Sequence, residues 1–176
     1  MVSIAQCWGK RTLILGEVNS GKTRLTLDLL AGIIEQREEE AAVLDLAPEK
    51  TRGIGGKMEV PAAPHISYYT TKIIPPRLRA REIDQVEAYS LQNAEAIESL
   101  FSTYLKDHRG VLAINDVSLY LQKGQLEKLL KVLEPSHTII MNGYYGKSLG
   151  ESPFSDIEKE QMDRLAKMCD QVIHLQ

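Results

Sequence analysis

The sequence predicts a three-layer α/β domain with a mainly parallel central sheet and helices on both faces. Three observations carry this. Apolar runs of strand length alternate with amphipathic segments along the chain. The strand-like runs are apolar almost throughout, as strands covered on both sides are. The stretch "GEVNSGKT", residues 16–23, joins the first such run to the first helical one. A chain of 176 residues is expected to form one domain, 1–176, with a sizeable core.

The elements follow in order. Arg11–Leu15 is a first strand, and a helix over 21–36 puts Leu25, Leu29 and Ile33 on one face beside Leu30 and Ile34. The acidic run "REEE" then reads as a solvated helix end and turn. Ala41–Leu46 is a short buried strand. Residues 48–64, with three glycines and three prolines, are a loop. Ile66–Ile74 is a further strand, followed by "PPRLRAR". A long helix over 82–107 places Ala94, Ile97, Phe101 and Tyr104 on one face. Val111–Asn115 is a buried strand, and 125–133 a helix with Leu126, Leu129, Leu130 and Leu133 at helical spacing. His137–Met141 is a strand, 156–168 a helix and Gln171–Leu175 a last strand. Five or six strands with helical crossovers make a mainly parallel sheet.

Net charge of −3 with a pI near 5.8 gives no overall basic field of the kind nucleic-acid binders carry. Cys7 and Cys169 lack metal-ligand spacing and read as reduced spectators. No apolar run reaches membrane-spanning length and "MVSIAQCWGK" lacks the apolar middle of a signal peptide, so the expected location is cytoplasmic.

The motif that carries chemistry is Gly16-x-x-x-x-Gly21-Lys22-Thr23, which fits G-x-x-x-x-G-K-[ST] at every fixed position. A chance match in a chain of this length is on the order of one per cent. Glycines let the main chain wrap an anion with N–H groups pointing inward, and the following helix adds positive potential at its start. Lys22 is placed to reach β- and γ-phosphate oxygens, and the Thr23 hydroxyl to ligate Mg²⁺. The loop residues Glu17, Asn19 and Ser20 and the flanking Arg24 complete the expected ATP-binding set. The fold expected around this loop is that of the P-loop NTPases.

Such a loop usually works with a carboxylate at the end of a neighbouring strand. "VLAIND" offers Asp116, expected to hold Mg²⁺ or act in catalysis, and "AAVLDL" offers Asp45. Asn115 is either a hydrogen-bonding site residue or a plain strand end. Arg77, Arg79 and Arg81 alternate in "PPRLRAR", which in an extended segment places them on one side. They would form a lid over the γ-phosphate, bind an acidic partner, or be ordinary surface residues. "RGIGGK", with Arg52 and Lys57 around three glycines, is either a gate or a flexible loop. The four histidines show no metal spacing. The pairs Tyr68-Tyr69 and Tyr144-Tyr145 either stack a base or pack in the core.

The segments "LILGEVNSGKTRLTLDLL" and "AAVLDLAPE" resemble the polynucleotide 5′-hydroxyl kinase family of RNA processing. That family has a G-x-x-[DN]-S-G-K-[ST] loop and then a strand ending in an Asp-x-Asp-x-Gly-Gln type of segment. "GVLAINDVSLYLQKGQLEKLLKVLEPSHTIIMN" is similar to its second half. Gly16, Asn19, Ser20, Gly21, Lys22, Thr23, Asp45 and Asn115 match. Ala47, Pro48, Glu49, Asp116, Ser118 and Leu119 depart, all on the acceptor side. The resemblance implies ATP and Mg²⁺ as cofactors and an RNA or small-molecule hydroxyl as phosphoryl acceptor. A looser likeness links "AINDVSLYLQKGQLEKLL" and "DRLAKMCDQVIHL" to cob(I)alamin adenosyltransferases, which implies adenosyl transfer. Three functions stay open: an ATP-dependent phosphotransferase or ATPase, a nucleotide-dependent switch, and a nucleotidyl or adenosyl transferase. No guanine-specific Asn-Lys-x-Asp motif is present, which favours ATP over GTP.

Overall fold

The crossovers build a sheet whose six strands are all parallel. The structure, a computed structural model, describes residues 2–150 and 153–176, and side chains over 2–150 and 155–176. In chain order the elements are α1 (Ile4–Cys7), β1 (Arg11–Gly16), α2 (Lys22–Arg37), β2 (Ala41–Asp45), β3 (Ile66–Thr70), α3 (Pro76–Arg79) and α4 (Ile83–Tyr104). There follow β4 (Val111–Asn115), α5 (Val117–Leu121), α6 (Leu126–Leu133), β5 (Thr138–Tyr144), α7 (Pro153–Lys167) and β6 (Gln171–Leu175). The strand order is β3-β2-β4-β5-β1-β6.

Two cores flank the sheet, and strand alternation assigns residues to them. Leu13, Leu15, Ala42, Leu44, Leu112, Ile114, Ile139 and Met141 face the α4–α7 side, with Ile97, Phe101, Leu129 and Leu165. Ile14, Ala41, Val43, Val111, Ala113 and Ile140 face the other side, where Leu29, Leu30 and Ile33 of α2 cover them. The three-layer α/β architecture is therefore that expected from the buried strands and amphipathic helices.

Register does the positioning. Asp45 of β2 lies beside Asn115 of β4, and Gly16 of β1 beside Tyr144 of β5. The carboxyl ends of four strands thus form one edge, where ligands bind in open parallel sheets.

The differences from the sequence expectation have local causes. The strand at 66 ends at Thr70, because Asn93 of α4 captures the backbone of Ile74 in place of a ladder partner. Ile74 N donates to Asn93 Oδ1 at 2.9 Å, and Asn93 Nδ2 donates to Ile74 O at 2.7 Å. The following "PPRLR" forms the helical turn α3, so Arg77 and Arg79 are not on one extended side. The strand at 137 runs on to Tyr144, because β1 pairs along its full length with β5. The helix at 156 begins earlier, at Pro153, and α1 went unrecognised. So did α5: its five residues are all buried, so "VSLYL" has no periodic face to read. Cys7 and Cys169 are free thiols. No helix among the described residues is long and apolar enough to cross a membrane.

One buried polar network ties α7 to the rest. Ser90 of α4 donates to Gln122 Oε1 at 3.0 Å, Gln122 Nε2 donates to Glu158 Oε2 at 2.6 Å, and Arg77 pairs with Glu158 at 3.2 Å. Arg77 also lies over the Tyr144 ring, 5.6 Å from its centroid. Burial pushes the Glu158 carboxyl up to about 7 from its ordinary 4.5, against the opposing effects of Arg77 and Gln122. The folded state therefore holds a proton that the unfolded chain releases. Stability from this group is full below pH 4.5 and declines as pH rises towards 7. Urea midpoints should fall between pH 5 and pH 8, and Glu158→Gln should flatten that fall, leaving only the share of Asp116, which burial also raises. An unchanged pH dependence in Glu158→Gln would place the proton elsewhere.

Candidate functional site

The loop between β1 and α2 has the conformation its glycines permit. Gly16 is wedged under the end of β6: a Cβ there would stand 2.7 Å from both Leu175 O and Ser20 Oγ. Gly21, with φ of 89°, takes the left-handed region just before α2 begins. Asn19 also takes a positive φ, 59°, and donates through Nδ2 to Gly53 O at 3.5 Å. The loop so shaped presents the start of a 16-residue helix to the pocket.

Lys22 folds back over the loop. Its Nζ donates to Glu17 O at 2.5 Å and lies 3.4 Å from Ser20 Oγ. Burial lowers its proton affinity, and the charges of Asp116 and Glu17 raise it. Thr23 donates from Oγ1 to Asn115 Oδ1 at 3.1 Å, and Asn115 Nδ2 donates to Asp45 Oδ1 at 2.8 Å.

The two carboxylates proposed from sequence stand in different settings. Asp45 is fully buried and meets four donors: Asn115 Nδ2, Ala47 N at 3.2 Å, Met58 N at 2.5 Å and Tyr68 Oη at 2.7 Å. It organises the end of the sheet and is not turned to the pocket as a free acid. Asp116 follows β4 in the left-handed region, with φ of 59°, and lines the pocket. Its N–H donates to Asn142 Oδ1 at 3.0 Å and Ser118 Oγ donates to its Oδ1 at 2.6 Å. Burial raises its carboxyl; the Ser118 hydroxyl and the Lys22 charge pull it back down.

Glu17 and Arg24 belong to the loop by position, while their side chains are engaged elsewhere. The Glu17 carboxylate accepts from Lys147 N at 2.7 Å, Ser148 N at 3.3 Å and the Ser148 hydroxyl. These contacts, the Ser148 hydroxyl first, hold its carboxyl below the ordinary range. Arg24, its side chain 81% exposed, pairs with Asp28 one turn along.

Lys22, Thr23, Asn115 and Asp116 line a cavity of about 640 Å³. The turn from Val18 to Gly21 forms one wall with them. The glycine-rich loop with Gly55, Gly56 and Lys57 forms the opposite one, and Asn142, Tyr144 and Leu149 lie on the β5 side. Lys57 donates to Thr71 O at 3.0 Å and to Asp45 O at 3.4 Å, and burial lowers its proton affinity. The "RGIGGK" segment is thus a wall of the pocket. Arg77 lines a separate, smaller cavity of about 170 Å³ behind Tyr144. Tyr68 serves Asp45, and Tyr145 donates to Asp163 at 2.8 Å.

Asn142 was not singled out from the sequence. It links Asp116 to α2, donating from Nδ2 to Thr26 Oγ1 at 2.9 Å. The polar residue inside the apolar run "TIIMNGY" was its one signal. Backbone N–H groups, a helix start and a cation are features that favour an anion, and the 16–23 loop has all three. The Thr23 hydroxyl and the Asp116 carboxylate are oxygen donors that could hold a metal such as Mg²⁺. Among the described residues no group of three or more His, Cys, Asp and Glu is arranged to hold a metal by itself. A metal at this edge would share its ligands with phosphate oxygens.

No protein-family model matches the chain, and no curated protein matches it. Among solved structures it is similar to the flagellar accessory protein FlaH from Methanocaldococcus jannaschii. The identity is 10% and the TM-score 0.44, over 88% of this chain and 68% of that one.

The Thr23–Asn115–Asp45 chain yields a test. Asn115→Asp would replace an amide donor facing Asp45 with a second buried carboxylate. At neutral pH it should cost about 3 kcal/mol, read from urea unfolding, with the loss shrinking in acid. Stability equal to wild type would mean that Asn115 does not hold Asp45.

Proposed function

We propose that the protein binds ATP with Mg²⁺ and passes its γ-phosphoryl group to water or to a hydroxyl acceptor. The observation that carries this is the placement of Lys22, Thr23 and Asp116 around one cavity at the carboxyl edge of the sheet. The loop's N–H groups and the start of α2 bind the phosphates, and Lys22 offsets their charge. The Thr23 hydroxyl and the Asp116 carboxylate would hold Mg²⁺, which when bound would supply further neutralisation of charge. Asp116 either holds the metal in this way or accepts the proton of the attacking hydroxyl, since a carboxylate bound to Mg²⁺ loses the proton affinity the second role needs. The 53–57 loop, as the opposite wall, is where an acceptor would lie. An RNA 5′-hydroxyl is one candidate, on the segments that resemble polynucleotide kinases.

A second reading, a nucleotide-dependent switch with little turnover, is favoured by Asn115. The residue that meets the Thr23 hydroxyl is a neutral amide where a carboxylate would hold the metal more strongly.

Titration with ATP–Mg²⁺ and ATP turnover, read as ADP formed and as phosphorylated oligonucleotide, alone and with a 5′-hydroxyl oligonucleotide or a corrinoid, separate these readings. Lys22→Ala should weaken ATP binding by about a hundredfold or more. Asp116→Asn should keep binding within severalfold and reduce turnover by about a hundred- to a thousandfold. Retained affinity and turnover in Lys22→Ala would overturn nucleotide binding at this loop. Tight ATP binding with negligible ATP turnover under all three conditions would support the switch.

A further inference from the structure

A second cavity lies beside α2, on the face of the sheet away from the α4–α7 layer, and no part of the proposed chemistry uses it. Its volume is about 580 Å³ and its floor is apolar: Leu27, Leu30 and Ile34 from α2, with Val60 and Ile66. Leu27, Leu30 and Ile34 are spaced three and four apart, so they form one stripe along the helix. The chain from Val60 to Ala63 beside it has no regular structure. Leu30 is buried, while Leu27, Ile34, Val60 and Ile66 are only partly so, which leaves apolar surface open on either side of it.

The rim gives the groove a sign. Its charged lining residues are Glu35, Glu38 and Glu39, with His65 and no lysine or arginine. Glu35 and Glu38 are exposed and form no ion pair among the described residues. Glu39 stands 3.9 Å from His137, and the neighbouring Glu40, outside the lining, pairs with Arg109. Glu38 ends α2 in the left-handed region, with φ of 54°. An apolar slot along a helix with an acidic rim, two of whose three glutamates form no ion pair among the described residues, complements one kind of ligand: a helix with an apolar face flanked by basic residues.

We propose that this groove is a docking site for a basic amphipathic helix of a partner protein. The helix lays its apolar face between α2 and the 60–66 segment, and its lysines or arginines meet Glu35, Glu38 and Glu39. The site is independent of the nucleotide reading, since it shares no residue with the cavity at the phosphate loop.

The test uses a fluorescently labelled designed helix of about 18 residues, leucine on one face and lysine on the other, with a leucine–glutamate helix as its counterpart. Anisotropy should show salt-sensitive binding of the lysine helix and none of the glutamate helix. Glu35→Lys/Glu38→Lys should weaken it about tenfold or more, while Glu134→Lys/Glu160→Lys, the same charge change at exposed sites outside the groove, should leave it within about twofold. All four positions are exposed, so these variants should keep their fold, checked by circular dichroism. Equal affinity in the groove variant, equal weakening in the control variant, or binding of both helices alike would overturn the proposal. So would a dimer in sedimentation that Ile34→Asp dissolves, because the groove would then be closed by a second copy of this chain.

Discussion

The carboxylate of Asp45 is the constraint on which the sheet's functional edge depends. It is fully buried and meets four donors from four parts of the chain: its own strand end, β3, β4 and the 53–58 loop. A buried charge is tolerable only when so surrounded. The consequence reaches the phosphate loop, because Asn115 spends its amide N–H on Asp45 and therefore turns its carbonyl to Thr23. An acid that resembles a catalytic residue in sequence thus sets the orientation of the residues that touch the pocket.

A second set of contacts holds the pocket from the other side. Glu17, inside the phosphate loop, fastens the 147–148 turn through backbone N–H groups. Asn142 fastens Asp116 to α2. Tyr144 closes the end of β5 beside Gly16, with Arg77 stacked behind it and Glu158 behind Arg77. These contacts fix the walls around Lys22 and Asp116 from several parts of the chain.

Charge is unevenly divided over the two faces of α2. Its first turn brings Lys22 and Thr23 to the cavity at the strand ends, and its last turn opens onto a run of glutamates beside an apolar groove. The two proposed sites, for a negative ligand and for a positive one, thus lie towards its opposite ends. Those glutamates read as a plain solvated helix end in the sequence, since composition does not show what lies beside a charge.

Much of the fold was legible in the residues. Buried strands are apolar on both faces, and the helices show period, so β1, β2, β4, β6, α2, α4 and α6 emerged with small shifts in boundary. The phosphate loop was legible because its spelling follows from backbone geometry that only glycine permits at Gly16 and Gly21. What tertiary structure alone decided was the difference between Asp45 and Asp116. Both end apolar strands, and nothing local separates them. The pairing of β2 with β3 and β4, together with the return of the 53–58 loop, surrounds Asp45 with donors, and the left-handed turn after Asn115 brings Asp116 to the pocket. The same holds for α5, buried on all sides and so without period, and for Arg77, whose alternation with Arg79 was overridden by a proline-started helical turn and a buried glutamate. Local spacing determines which face a residue takes. Which neighbours meet it there depends on chain segments far away in sequence, and those set its charge and its role.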